Sequence, residues 1–275
     1  MGDVTAIGWT GRTFNPWWGC ARWSAGCLHC YADTLARRWG HDSLWHLNGP
    51  RRMMSDAYWK QPAKWNRKAA AAGIPERVFC ASMADVFEDH PAVTEARKRL
   101  FGTVEDTPWL TWQFLTKRIE NVAGMVPWDD SWPANLHIGT SVENQRFADK
   151  RIPELLSIKG AAVRFLSCEP LLGPVLLRDW AFDACDCCDL QPGRECISEP
   201  GSRSVDWVIC GGESGPGHRP MDVTWLESIV TQCQAAGVPV FVKQDSGPKP
   251  GQQGRIPDEF WIHEFPLAAA GRMAT

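Results

Sequence analysis

Residues 78–85 read VFCASMAD: four apolar positions in unbroken succession, then a hydroxyl, and then a carboxylate three residues on. A strand with one wet face alternates apolar and polar side chains, whereas a strand covered on both faces does not. The segment therefore predicts a buried parallel strand, with Ser82 and Asp85 just past its C-terminal end. Five more apolar runs follow the same plan: residues 111–115 (TWQFL), 136–140 (LHIGT), 163–167 (VRFLS), 206–210 (DWVIC) and 238–242 (VPVFV).

Helical segments lie between several of these runs. Residues 90–102 place Val93, Ala96, Leu100 and Phe101 at helical spacing, and residues 146–158 and 224–236 behave alike. Thr224 reads as an N-cap, with Glu227 three residues on completing a capping box. Strands alternating with helices imply a parallel sheet with right-handed crossovers. A further strand near residues 14–18 brings the count to about seven βα units. The fold expected is α/β, a partial or complete parallel β/α barrel. A doubly wound open sheet is the alternative, because strand order is not written in a single sequence.

Polar residues gather where each strand ends. After the TWQFL run come Thr116, Lys117 and Arg118. The next ends carry Ser141, Glu143 and Asn144, then Cys168 and Glu169, then Glu213 and Ser214, and last Lys243 and Gln244. In a β/α barrel the C-terminal strand ends form the active-site rim. Six consecutive ends bearing ionisable or hydroxyl groups read as a functional rim rather than as ordinary loops.

Composition narrows the classes. The chain has 275 residues, is 44% hydrophobic and 22% charged, and carries a formal net charge of −3. That near-balance argues against gripping nucleic acid by net charge alone, but it leaves room for a local basic patch. No run approaches the roughly 20 apolar residues of a membrane span. The first eleven residues show no basic end followed by an apolar stretch, so a cytoplasmic location without membrane partners is expected. One domain over residues 1–275 is expected, with no internal repeat. Two stretches elaborate it: a tryptophan-, arginine- and lysine-rich connection at 39–73, and a cysteine-rich insertion at 179–204. Sixteen tryptophans stand against two tyrosines, many of them in the first quarter. They read as core filling first and as a stacking surface for bases or a cofactor ring second.

Eleven cysteines is a high count for a reducing compartment, where clustered thiols more often ligate metals than pair. Residues 14–33 read FNPWWGCARWSAGCLHCYAD, which spaces the thiols as Cys20-x6-Cys27-x2-Cys30. Three thiolates fall one short of the usual four protein ligands of structural zinc, unless His29 or a distant group completes the set. They are enough to hold three irons of a [4Fe–4S] cluster and leave the fourth open. Gly19 and Gly26 each precede a cysteine and free the backbone to wrap closely. Cys185, Cys187, Cys188 and Cys196 form a possible second metal site, with zinc the candidate ion. The spacing is not that of a standard zinc knuckle, and an exposed variable loop is the other reading. Cys80, Cys210 and Cys233 sit in apolar runs as core thiols.

The NPWWGC…GCLHCYA frame resembles the cluster loop of radical S-adenosylmethionine (SAM) enzymes of the spore photoproduct lyase type. The segments FCASMADVFED, FLTKR, GTSVEN, FLSCEP and WVICGGESGPGHRPM extend the likeness to an uncharacterised family of phage and bacterial three-cysteine-motif proteins. The resemblance covers roughly residues 8–244. It implies a partial β/α barrel that binds SAM at the open iron and cleaves it to a 5′-deoxyadenosyl radical. Cys20, Cys27 and Cys30 are then the cluster ligands. Ser82, Asp85, Lys117, Ser141, Glu143 and Asn144 are the SAM-binding candidates. Glu169, Glu213, His218, Arg219 and Lys243 are the substrate-side candidates, and nucleic acid or a nucleotide is the substrate class. The sequence departs from the common pattern in two ways. Six residues rather than three separate the first two cysteines. Gly211, Gly212 and Glu213 follow a late strand, so the SAM-amino role of a Gly-Gly-Glu motif is not carried over to them. The competing class is a non-catalytic module, stabilised by zinc or a cluster, that binds nucleic acid or a partner protein.

Overall fold

A computed structural model describes residues 5–177 and 205–266. Seven strands form one all-parallel sheet: β1 (Arg12–Thr13), β4 (Glu76–Cys80), β5 (Leu110–Thr116), β6 (Leu136–Ser141), β7 (Val163–Cys168), β8 (Trp207–Gly211) and β9 (Val240–Gln244). They neighbour one another in that sequential order, with β1 and β9 at the two edges. A doubly wound sheet reverses direction from its first strand. Here the order never reverses, so the sheet curls one way into a half-barrel and the open-sheet alternative falls. Strand bounds match the apolar runs to within two residues. The expected strand at 14–18 instead divides: β1 joins the sheet earlier, while β2 (Trp17–Trp18) pairs antiparallel with β3 (Arg52–Met53) in a separate ribbon.

Helices cover the convex face. The main ones are α1 (Tyr31–Arg38), α3 (Gln61–Ala72), α4 (Thr94–Glu105), α6 (Gln145–Ser157) and α7 (Val223–Ala236), with short turns α2 (Asp56–Trp59) and α5 (Val122–Met125) between them. Helix α7 is capped two residues before the expected Thr224. Asp222 Oδ1 accepts the Thr224 N–H at 3.0 Å and its hydroxyl at 2.8 Å, and a carboxylate serves an exposed helix N-terminus well. Among the described residues no helix is long and apolar enough to cross a membrane.

The strands are buried on both faces, which is why they read as near-continuous apolar runs. Val78, Phe114, Ile138, Leu166, Val208 and Val242 point outward and pack with Leu100, Ile152, Leu226 and Ile229 of the helices. Alternate residues point inward, where Phe79, Phe165, Trp207, Ile209 and Phe241 join Trp9 in an aromatic plug. Ring centroids within that plug lie 4.6 Å (Trp9–Phe79) and 5.6 Å (Phe165–Trp207) apart. The concave side is thus filled with side chains at one level, and a cleft opens above it at the C-terminal strand ends. The connection at 39–73 holds β3, α2 and α3. The insertion at 179–204, with Cys185, Cys187, Cys188 and Cys196, lies outside the described residues.

Candidate metal centre at the mouth of the half-barrel

The three-cysteine loop is built by the chain leaving β2. Gly19 turns it with φ +114°, a conformation that side chains rarely adopt; its N–H goes to Met83 O at 3.0 Å, and the Cys20 N–H goes to Leu44 O of the 42–45 turn at 3.2 Å. Cys20 follows at once. Cys27 ends a 3₁₀ turn (Ala25–Cys27), and Cys30 takes the N-cap position of α1. All three are partly buried, carry no disulfide and line a single open cleft of about 150 Å³. Ser82, Asp85, Lys117 and Ser141 line the same cleft from the ends of β4, β5 and β6. Folding therefore brings together four of the six residues expected around SAM with all three cysteines.

The sulfurs differ in surroundings. Cys27 Sγ accepts the Trp23 N–H at 3.4 Å and lies 3.8 Å from Ser24 Oγ. Cys20 Sγ receives Arg118 Nη1 at 3.6 Å. Burial pushes the Cys20 thiol well up despite Arg118, and burial also raises Cys30, against backbone hydrogen bonds from Asp33 and Ala32. Desolvated thiols of this kind hold their protons until a cation compensates the thiolate, which couples metal binding to proton release. Such soft donors suit zinc, Cu(I) or iron–sulfur clusters. Among the described residues, no group of three or more His, Cys, Asp or Glu side chains is drawn tightly enough to hold a single metal ion.

The loop is tied to the barrel rim at several points. Glu88 Oε1 accepts the Ala21 N–H at 2.7 Å, and Arg118 Nη2 donates to Ala21 O at 2.7 Å. Glu143, fully buried, accepts the Ser24 hydroxyl and the Gly26 N–H, the latter at 3.1 Å. Arg219 Nη1 donates to Ala25 O at 3.0 Å, and His29 Nδ1 lies 2.9 Å from Glu213 Oε2. The six-residue spacer between Cys20 and Cys27 is thus the stretch that carries most of these anchors. Its length has a structural use.

Several expected ligand-binders have their polar atoms occupied within the protein. Asp85 accepts four hydrogen bonds: Phe87 N–H (3.0 Å) and Thr116 Oγ1 (2.7 Å) on one oxygen, Lys117 N–H (3.1 Å) and Arg118 Nη1 (3.0 Å) on the other. A carboxylate has about four lone-pair sites, so this one is saturated. Glu143 sits beneath the loop, with Lys117 and Arg151 each 3.6 Å away. Asn144 caps α6 by accepting the Phe147 N–H at 3.3 Å. Glu169, just past the end of β7, pairs with Lys243 of β9. Arg219 donates through Nε (3.0 Å) and Nη2 (2.5 Å) to Glu213, and His218 Nδ1 sits 3.0 Å from Gly215 O. Lys117 reaches Ser141 Oγ at 3.0 Å and stays at the cleft wall.

Sequence reasoning passed over Arg51, Glu88 and Asn15. Arg51, its side chain fully buried, donates Nε (2.8 Å) and Nη2 (2.9 Å) to Glu88 and Nη1 to carbonyls of the 44–50 turn. Asn15 Oδ1 accepts the Met83 N–H at 2.7 Å and its amide reaches Ser82 Oγ at 3.0 Å, fixing the loop that follows β4. The asparagine-proline lead before the first cysteine carried that signal. Nothing in the local sequence marks Arg51 or Glu88 as buried.

No curated protein and no solved structure matches the chain. A family model described as "Protein of unknown function (DUF5131)" matches residues 4–266, nearly the whole length, and the chain belongs to that family.

Proposed function

We propose that the protein is a radical SAM-like iron–sulfur enzyme that acts on nucleic acid or a nucleotide. One observation carries the reading: three soft thiols of one anchored loop line the same cleft as the hydroxyl, ammonium and guanidinium groups of three consecutive parallel strand ends. The donor set fits a cluster better than a lone ion. A cluster offers separate irons to separate thiolates, so its ligands need not converge on one point. Hydrogen bonds to the sulfur of Cys27 are of the sort that tune such a group.

A bound [4Fe–4S] cluster would supply the electron that cleaves SAM to methionine and a 5′-deoxyadenosyl radical, which then takes hydrogen from the substrate. The chain's own residues do the remaining work. Cys20, Cys27 and Cys30, which line the cleft, would hold the cluster. Lys117, beside Ser141, offers an ammonium to the carboxylate of SAM. Arg118 sets Cys20 and Ala21 in place, and saturated Asp85 sets Arg118. The Glu169–Lys243 pair, at the ends of β7 and β9, is the substrate-side candidate in this reading. A soluble, cytoplasmic setting suits an oxygen-sensitive group of this type.

The test is anaerobic purification and cluster reconstitution, followed by iron, sulfide and zinc analysis, then reduction with dithionite in the presence of SAM. A brown protein that releases 5′-deoxyadenosine is expected, and Cys27→Ala should lose iron while Cys80→Ala keeps it. A colourless protein holding zinc alone would sink the proposal in favour of the structural-module class. An intact cluster without 5′-deoxyadenosine would remove the radical step.

A further inference from the structure

Of the eight exposed large apolar side chains among the described residues, six fall between residues 23 and 53: Trp23, Leu28, Tyr31, Trp39, Leu47 and Met53. Concentrations of that kind mark interaction surfaces. The charge of the same stretch says what kind. Between residues 20 and 53 the exposed guanidinium groups are Arg22, Arg37, Arg38 and Arg52, and the exposed carboxylate is Asp42. Asp33 is buried and takes up part of the charge of Arg22 and Arg37. In a chain of net charge −3, this stretch carries a local excess of exposed positive charge.

The centre of the face is a layered stack. Trp18 is buried among Ala32, Ala36, Leu44, Trp45 and Met83, which hold it rigidly. Trp39 stacks on it with centroids 5.2 Å apart and planes 23° from parallel, and Trp39 itself is 49% exposed. The Arg52 guanidinium lies 5.1 Å from the Trp18 centroid, with Nη1 2.7 Å from His41 Nε2. A rigid indole base, an open indole on top and the Arg52 guanidinium against it make a platform on which a flat ring extends the stack while a phosphate meets the cation. A protein partner would find apolar area here but no use for so many cations. A duplex keeps its bases stacked inside and cannot offer them to Trp39.

We propose that this face binds single-stranded nucleic acid, with Trp39 stacking on a base. Helix α1 links the platform to the cleft. Tyr31 at its start lines the cleft and donates its hydroxyl to Ser82 O at 2.7 Å, and Trp39 follows its last turn, eight residues or roughly 12 Å further on. A strand held on Trp39 has a neighbouring nucleotide at the cleft mouth. That last point rests on the cleft being the reaction site; the binding surface does not.

Fluorescence anisotropy with the full-length chain tests it. The probes are a labelled short oligothymidylate, its duplex with oligoadenylate, and heparin as a polyanion without bases. The single strand should bind most tightly, with affinity falling as salt rises. Trp39→Ala should weaken it on the order of tenfold, the scale of one lost base stack, while Trp39→Phe retains most of the affinity. Arg52→Ala should weaken binding and lower the salt slope by about one. Trp39 is half-exposed, so the variants should fold, which far-ultraviolet circular dichroism checks. No binding by the wild type, wild-type affinity in Trp39→Ala, or equal affinity for duplex or heparin would overturn the proposal. Iron and sulfide are measured on the same samples. A colourless protein that binds the single strand overturns the cluster reading alone, and a brown protein that does not bind overturns this surface alone.

Discussion

Gly26 donates its backbone N–H to the buried carboxylate of Glu143 at 3.1 Å, across 117 residues of chain, and a Cβ at Gly26 would stand 2.6 Å from that same carboxylate. The loop and the rim of β6 therefore meet with no space between them. Glu143 cannot swing aside cheaply, because Ser24, Lys117 and Arg151 all crowd the same group.

Gly26→Ala should accordingly cost about 1–3 kcal/mol, the scale of overpacking a tight site. It should also speed alkylation of Cys27, since the displaced loop no longer presents the sulfur to the Trp23 amide. Urea unfolding and timed thiol alkylation read the two effects. Wild-type behaviour in both would show that the Glu143 contact does not hold the loop.

Glu88→Ala leaves the guanidinium of Arg51, with no exposed side-chain surface, without its carboxylate. Orphaning a buried charge costs about 3–5 kcal/mol, well above the loss from an exposed pair. Glu88→Gln should fall between, since it keeps an acceptor for the Ala21 N–H but removes the charge. Denaturant midpoints with unchanged slopes are the measurement. A loss below about 1 kcal/mol in Glu88→Ala, the scale of a surface pair, would mean that Arg51 finds other support.

Acid should release the Glu213 tie. Burial pushes this carboxyl up, but hydrogen bonds from the Arg219 side chain and backbone and from His29 outweigh it and bring it from 4.5 down to about 2. A carboxyl more acidic folded than unfolded stabilises fully above the unfolded value and loses that contribution as pH falls through the folded one. Stability should thus drop between about pH 4.5 and 2. Glu213→Gln should lower stability above that window, where the contribution is fully present, and flatten the fall within it, so that the two profiles converge toward pH 2. Thermal midpoints against pH decide it, and identical acid limbs would exclude the pair as a contributor.

Two glycines separate packing from backbone freedom. A Cβ on Gly139 of β6 would sit 2.5 Å from the Phe165 ring in the aromatic plug, so Gly139→Ala should cost about 1–3 kcal/mol. Gly102, inside α4, has nothing within 4 Å of a Cβ. Gly102→Ala should instead stabilise by roughly 0.5–1 kcal/mol, because alanine loses less backbone entropy in a helix. Opposite signs in chemical denaturation are the expected result.

The order of amino acids alone specified the strands and their succession. Parallel strands buried on both faces must be largely apolar, and that requirement is local enough to read in VFCA or VPVFV. It also placed the three cysteines on one loop and the polar residues at the strand ends, since both follow from chain position. Which of those polar groups face the cleft depended on packing between distant segments. Ser82 and Lys117 do, while Glu143 and Glu213 turn to the cysteine loop that their strand ends meet in space. Their partners lie 117 and 184 residues away, beyond any local pattern. The same holds for the tryptophans: Trp18 and Trp39 are alike in composition, and burial of one beneath the open ring of the other arises only when α1 packs on β2. Side-chain chemistry is a property of the residue, but what it is spent on is settled by what the fold sets beside it.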